Sequence, residues 1–149
     1  MPLFRVGKPK LGLSFSTNTV VPSSLGDTSI PFDVVDFAEG ELSYESTTQV
    51  VTIELEGLYL VTLVVSRAAP PASDATFVLV RRSSIDYVAA RAVISTQQAL
   101  INVAMPMQLL VGETLQPIIR SNNQTFTIRA YPNTGTFFSV VRIGPKRWT

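Results

Sequence analysis

Glu54 and Glu56 stand two residues apart in a run that alternates apolar and polar residues. On a strand they share one face, the arrangement in which paired carboxylates carry out acid–base chemistry. Alternating glutamates opposite Ile53 and Leu55 are also what a solvated strand face shows, and nothing adjacent sets one carboxyl group apart from the other, so the pair reads as surface. Asp33, Asp36, Glu39 and Glu41 supply oxygen ligands over a short segment, as calcium requires, but lack the Asp-x-Asp-x-Asp-Gly spacing of a dedicated loop. The chain has no cysteine and no histidine, which removes thiolate and imidazole metal ligands, the cysteine nucleophile and the commonest general base. Serine, threonine, tyrosine and lysine remain, but no Gly-x-Ser-x-Gly, Ser-x-x-Lys, phosphate loop or dinucleotide fingerprint activates any of them. These features predict a protein that is not an enzyme, with no cofactor, no metal and no small-molecule substrate.

At 149 residues, 46% hydrophobic and 15% charged, the chain has the size of one domain. At this length folding buries about 70% of the extended surface, enough for a core without metals or cross-links. No apolar run reaches the roughly 18 residues of a membrane-spanning helix. The opening Met1-Pro-Leu-Phe-Arg lacks the apolar centre of an export signal, so synthesis in a host cytoplasm without export by that route is expected. Asn123-Gln-Thr would accept a glycan only in a secreted chain and reads as part of a turn over 121–124.

Charge is unevenly spread. Eight of the eleven acidic residues lie between Asp27 and Glu56, whereas six of the twelve basic ones, Arg5, Lys8, Lys10, Arg142, Lys146 and Arg147, lie towards the ends. With Pro2, Gly7, Pro9, Gly12, Gly144 and Pro145 interspersed, the sequence predicts a basic arm over 1–12 and a basic tail over 144–149, flanking a domain over 13–143. Phe4 and Trp148 would add apolar anchoring where these cations dock on an acidic protein lattice. A net charge of +1, with three cations towards each end, argues against nucleic acid, whose binding scales with the phosphates neutralised. Arg81-Arg82 reads as a strand end reaching solvent.

The elements that must carry these groups are strands. Period-2 alternation rich in Val, Ile, Thr, Phe and Tyr, broken every 8 to 12 residues by Gly, Pro, Asn or Ser, predicts strands over 13–19, 30–37, 41–46, 50–56, 58–66, 76–82, 87–95, 100–105, 114–120, 126–130 and 136–143. A marginal helical pattern covers 96–104, just before Pro106, and 67–74 reads as a long exposed loop. The run Leu58-Tyr-Leu-Val-Thr-Leu-Val-Val is apolar on both faces, so one face meets a core while the other meets a neighbouring subunit or a loop of its own chain.

Four pieces, taken in order, resemble the jelly-roll family of tumour necrosis factor and the complement globular heads. They are Ile30-Pro-Phe-Asp-Val-Val, Gly57-Leu-Tyr-Leu-Val-Thr-Leu-Val-Val, Leu110-Val-Gly-Glu-Thr-Leu and Thr136-Phe-Phe-Ser-Val-Val-Arg-Ile, spread over 13–143. Val140 stands where the family usually has glycine, and Glu113 where it has aspartate. The resemblance implies an all-β antiparallel jelly-roll sandwich that forms a compact homotrimer. It implies Tyr59, Val61, Leu63, Phe138 and Val140 as residues of the trimer interface.

Tailed bacteriophages use such trimers as capsid cement. The expected function is therefore a trimeric decoration protein on the virion surface, with the major capsid protein as partner and Phe4, Arg5, Lys8, Lys10, Arg142, Lys146, Arg147 and Trp148 as docking residues. The alternative is the receptor-binding head of a phage fibre or spike, which would use exposed loops such as 67–74 and 121–125.

Overall fold

The computed structural model describes residues 9–21, 26–68, 74–83, 85–94, 100–121, 126–128 and 135–145. These residues form β1 (Lys10–Ser14), β2 (Thr19–Val21), β3 (Gly26–Ser29), β4 (Val34–Glu39), β5 (Leu42–Glu45), β6 (Val50–Ile53), β7 (Gly57–Ala68), β8 (Asp74–Arg82), β9 (Ile85–Ile94), β10 (Leu100–Leu109), β11 (Thr114–Ser121), β12 (Phe126–Ile128) and β13 (Phe137–Gly144). Among the described residues there is no helix.

Two antiparallel sheets face each other. In the first, β7 pairs with β10 along one edge, and the order continues on its other edge through β13 and β1 to β4. The far end of β7 pairs instead with β12, which carries β2. Thr136 manages that change of partner: its buried hydroxyl accepts from the Ser66 N–H (2.9 Å) and donates to the Ser66 carbonyl (3.3 Å) where no strand does so. The second sheet runs β5, β6, β11, β8, β9, with β3 sharing an edge of β11 with β6.

Alternate residues of each strand point between the sheets. From the first sheet come Leu11, Leu13, Tyr59, Val61, Leu63, Val65, Phe138 and Val140, and from the second Val51, Ile53, Val78, Val80, Leu115 and Ile119. The expected strand over 30–37 begins only at Val34: Ile30-Pro31-Phe32-Asp33 cross from β3, in the second sheet, to β4, in the first. Pro31 cannot donate to a ladder, and the crossing drives Ile30 and Phe32 into the core, where the Phe32 ring lies 4.9 Å from Phe15 and 6.3 Å from Phe138 between centroids. Tyr44 donates from its hydroxyl to the Phe32 carbonyl at 3.0 Å, fixing the crossing.

Three expectations are corrected. Lys10 to Gly12 are not arm: they lie in β1, between β13 and β4, with Leu11 buried. Gly144, placed in the tail, is the last residue of β13. The marginal helix over 96–104 is overturned from residue 100 onward, because β10 starts there and runs through Pro106 to Leu109; residues 96–99 lie outside the described set. Pro106 is tolerated because β10 pairs with β7 on one side only among the described residues, an edge position where a missing N–H is harmless.

The turn from β10 to β11 is built on Gly112, whose φ of 89° favours glycine, and closes with the Glu113 N–H donating to the Leu110 carbonyl at 3.1 Å. The Glu113 carboxylate accepts from the Leu110 N–H (2.8 Å) and from both Nε and Nη2 of Arg82 (2.8–3.0 Å). Arg82 is thus engaged by this turn, not simply reaching solvent. Both side chains are mostly covered, and Glu113→Ala would leave the guanidinium and a turn N–H without this partner. The substitution is expected to lower unfolding free energy by about 1–3 kcal/mol, read as a reduced urea midpoint with unchanged slope.

Candidate interaction face

Tyr59, Val61, Leu63, Phe138 and Val140 are each 0% exposed, inside their own sandwich. They cannot touch another subunit, and the replacement of the family glycine by Val140 alters the core, where Val140 pairs with Val61, not a trimer axis. The residues one position away carry the opposite face. Because β10, β7 and β13 are in register, Pro106, Leu60 and Val141 form one row, Ala104, Thr62 and Ser139 the next, and Asn102, Val64 and Phe137 a third. Leu60 and Phe137 are each 39% exposed, Ile143 extends the face at 46%, and no residue of the three rows is charged. A flat, charge-free and largely apolar sheet face of this kind is how a soluble protein marks a contact surface.

Beyond β13 the face changes character. Gly12 in β1 lies opposite Ser139 on one side and Phe37 on the other, and the Phe37 ring fills the place of a side chain there: a Cβ on residue 12 would come within 2.4 Å of it. A bulge between Gly12 and Leu13 leaves Asp36 out of the strand register with β1. Asp36 and Phe37 both border an open groove of about 770 Å3, together with Ser14, Val34 and Phe137. The Ser14 hydroxyl donates to Asp36 at 3.0 Å; Asp33 accepts from the Ser16 N–H at 3.0 Å and from the Ser16 hydroxyl.

The sequence-expected docking residues divide into two groups. Phe4, Arg5, Lys8, Lys146, Arg147 and Trp148 lie outside the described residues, as do 69–73 and 122–125 of the two candidate binding loops. Lys10 and Arg142 are strand residues serving the sheet. Lys10 Nζ lies 3.7 Å from Glu39 and 5.7 Å from the Phe37 ring centroid. Arg142 donates through Nε and Nη2 to the Glu56 carbonyl (3.2 and 3.1 Å), and its N–H donates to the Pro9 carbonyl at 2.8 Å. Glu54 and Glu56 lie after the end of β6, in the connection to β7 and not within a strand. Among the described residues no group of three or more Asp or Glu could hold a metal ion.

Two tyrosines near this end of the sandwich titrate abnormally. Burial, reinforced by the Asp33 carboxylate, pushes the Tyr44 phenol up to about 12. Burial also raises Tyr59, which donates to the Leu55 carbonyl; Arg142 opposes that shift and Glu41 adds to it. An unfolded chain loses these protons near pH ~10 and the folded chain only later. Stability is therefore expected to be level below pH ~10, to fall as pH rises from there towards 12, and to fall less steeply in Tyr44→Phe, measured as urea midpoints across that range.

Set beside solved structures, the chain superposes on murine APRIL with a TM-score of 0.64 at 18% identity, over 91% of this chain and 99% of that one. Eiger TNF from S. frugiperda gives 0.64 at 11% identity, over 95% and 96%, and pika GITRL gives 0.56 at 15%, over 94% and 98%. The fold is a tumour-necrosis-factor-like jelly roll. No protein-family model and no curated protein matches the sequence. Within this TNF-like jelly roll, Glu113 of the glycine-containing turn at Leu110–Glu113 reaches both a turn N–H and Arg82.

Proposed function

We propose that this chain is a non-catalytic assembly protein that trimerises through the outer face of its first sheet and serves as a capsid cement protein of a tailed bacteriophage. In that role each trimer clamps neighbouring major capsid subunits on the virion surface. The observation that carries the reading is the charge-free, largely apolar face centred on Leu60, Thr62, Ser139 and Val141, on which Leu60 and Phe137 are exposed in the single chain. A closed ring of three TNF-like jelly rolls would bury it three times over.

The cement role is supported by the positions of Pro9 and Pro145. Pro9 and Pro145 both lie at the same end of the sandwich, where Pro9 bonds to Arg142 and β13 finishes. Arg5 and Lys8 precede Pro9 and Lys146 and Arg147 follow Pro145 in sequence, so a trimer carries six short basic segments. Six weak contacts made together bind far more tightly than any one.

The test is light scattering of the full chain and of a chain lacking 1–8 and 146–149, each followed by co-sedimentation with empty phage shells. The expected result is a trimer in both cases, with shell binding only by the full chain. A monomer overturns the assembly. A trimer that ignores shells but is retained on host cells replaces cement with the receptor-binding fibre head.

A further inference from the structure

From the exposed edge strand β4 and the groove beside it, we infer that this protein binds an extended, arginine- or lysine-bearing segment of a partner protein, which adds to the first sheet as a further strand. Strand β4 ends the sheet: it pairs with β1 on one side and with no strand on the other among the described residues. Its exposure is unusual for a six-residue strand, since Val35 is 51% and Phe37 39% exposed and every residue after Val34 is open to solvent. An edge of this length with apolar side chains on show is a template for main-chain pairing.

The bulge then selects the chemistry of the incoming strand. By placing Asp36 and Phe37 side by side on one groove, it sets a carboxylate next to an aromatic wall completed by Phe137. A guanidinium or ammonium group on an aliphatic stem fits that combination, through charge at Asp36 and through the aromatic wall, where the Lys10 ammonium already lies over Phe37. The flanking charges agree. Asp33 lies close by on the crossing segment, and the one cation of β1, Lys10, is already matched by Glu39. Pairing of β4 with β4 of a second copy would instead bring acidic strands together, which like charges on facing strands disfavour. The strand-binding edge does not depend on the capsid reading; it adjoins the proposed trimer face and shares Phe137 with it.

The test uses the full chain and a short peptide of alternating valine and arginine, with binding followed by calorimetry and assembly mass by light scattering in the same samples. Binding is expected at unchanged mass, weakened about tenfold by Asp36→Lys and abolished when alternate peptide amides are N-methylated, because that removes the ladder donors. Asp36→Lys should in turn gain affinity for the valine–glutamate counterpart, which shows that the variant is folded. Undiminished binding by Asp36→Lys, or indifference to N-methylation, overturns the inference. A fall in assembly mass on peptide binding does so too, by making the groove part of the contact between copies. None of these outcomes bears on shell binding, so the capsid reading fails or stands separately.

Discussion

Leu60→Asp is expected to yield a folded monomer. Leu60 lies at the centre of the uncharged face, between Pro106 of β10 and Val141 of β13, and more than a third of it is open to solvent in the single chain. In the isolated subunit an aspartate there remains hydrated and costs the fold little, because exposed strand positions away from special features tolerate substitution within about 0.5 kcal/mol. In the proposed trimer the same carboxylate would be buried without a partner, at a cost on the order of 3 kcal/mol per interface. A threefold ring repeats that cost three times, which exceeds what an assembly of this size can absorb. Light scattering should report the single-chain mass, and circular dichroism an unchanged β spectrum. A trimer persisting in Leu60→Asp would move the interface elsewhere.

Phe138→Ala is expected to have the opposite effect. Its ring is fully buried and stacked 6.3 Å from Phe32, the residue that plugs the crossing between the sheets. Truncation removes that packing and leaves a cavity, for about 3–5 kcal/mol. Set against a total stability of about 5–15 kcal/mol for a domain, this is a large fraction, and the urea midpoint should fall accordingly. Its neighbour Phe137 points the other way and is 39% exposed, so Phe137→Ala should leave the monomer midpoint nearly unchanged and weaken assembly. The adjacent pair therefore separates folding from association within one strand. Equal losses of midpoint in the two variants would mean that the two faces are wrongly assigned.

Much of the fold was legible in the residues. Alternation identified most of the strands of the second sheet and the long β7, and the ordered pieces from Ile30 to Ile143 pointed to the jelly roll that the superposition on APRIL, Eiger TNF and GITRL shows. Boundaries failed where a rule about one residue type outweighed its context. Pro106 suggested an end to β10, yet an edge strand does not need that N–H. Gly12 and Pro9 suggested an arm, yet Gly12 lies in β1, where the Phe37 ring packs over it in the space of a side chain. Arg82 and Glu113 are 31 residues apart, and no local pattern could have paired them.

The candidate face shows the same division more sharply. By itself the sequence determined that β7 is apolar on both sides, hence that one side meets the core and the other a neighbouring subunit or a loop of its own chain. Which side is which could not be read there. Successive residues of a strand point to opposite faces, so a shift of one position exchanges inside for outside, and with valine, leucine and phenylalanine on both parities the alternation carries no sign. Only packing against the second sheet decides it. Val51, Ile53, Val80 and Leu115 stand opposite Tyr59, Val61, Leu63, Phe138 and Val140 in one core, and so leave Leu60, Val141 and Phe137 facing out.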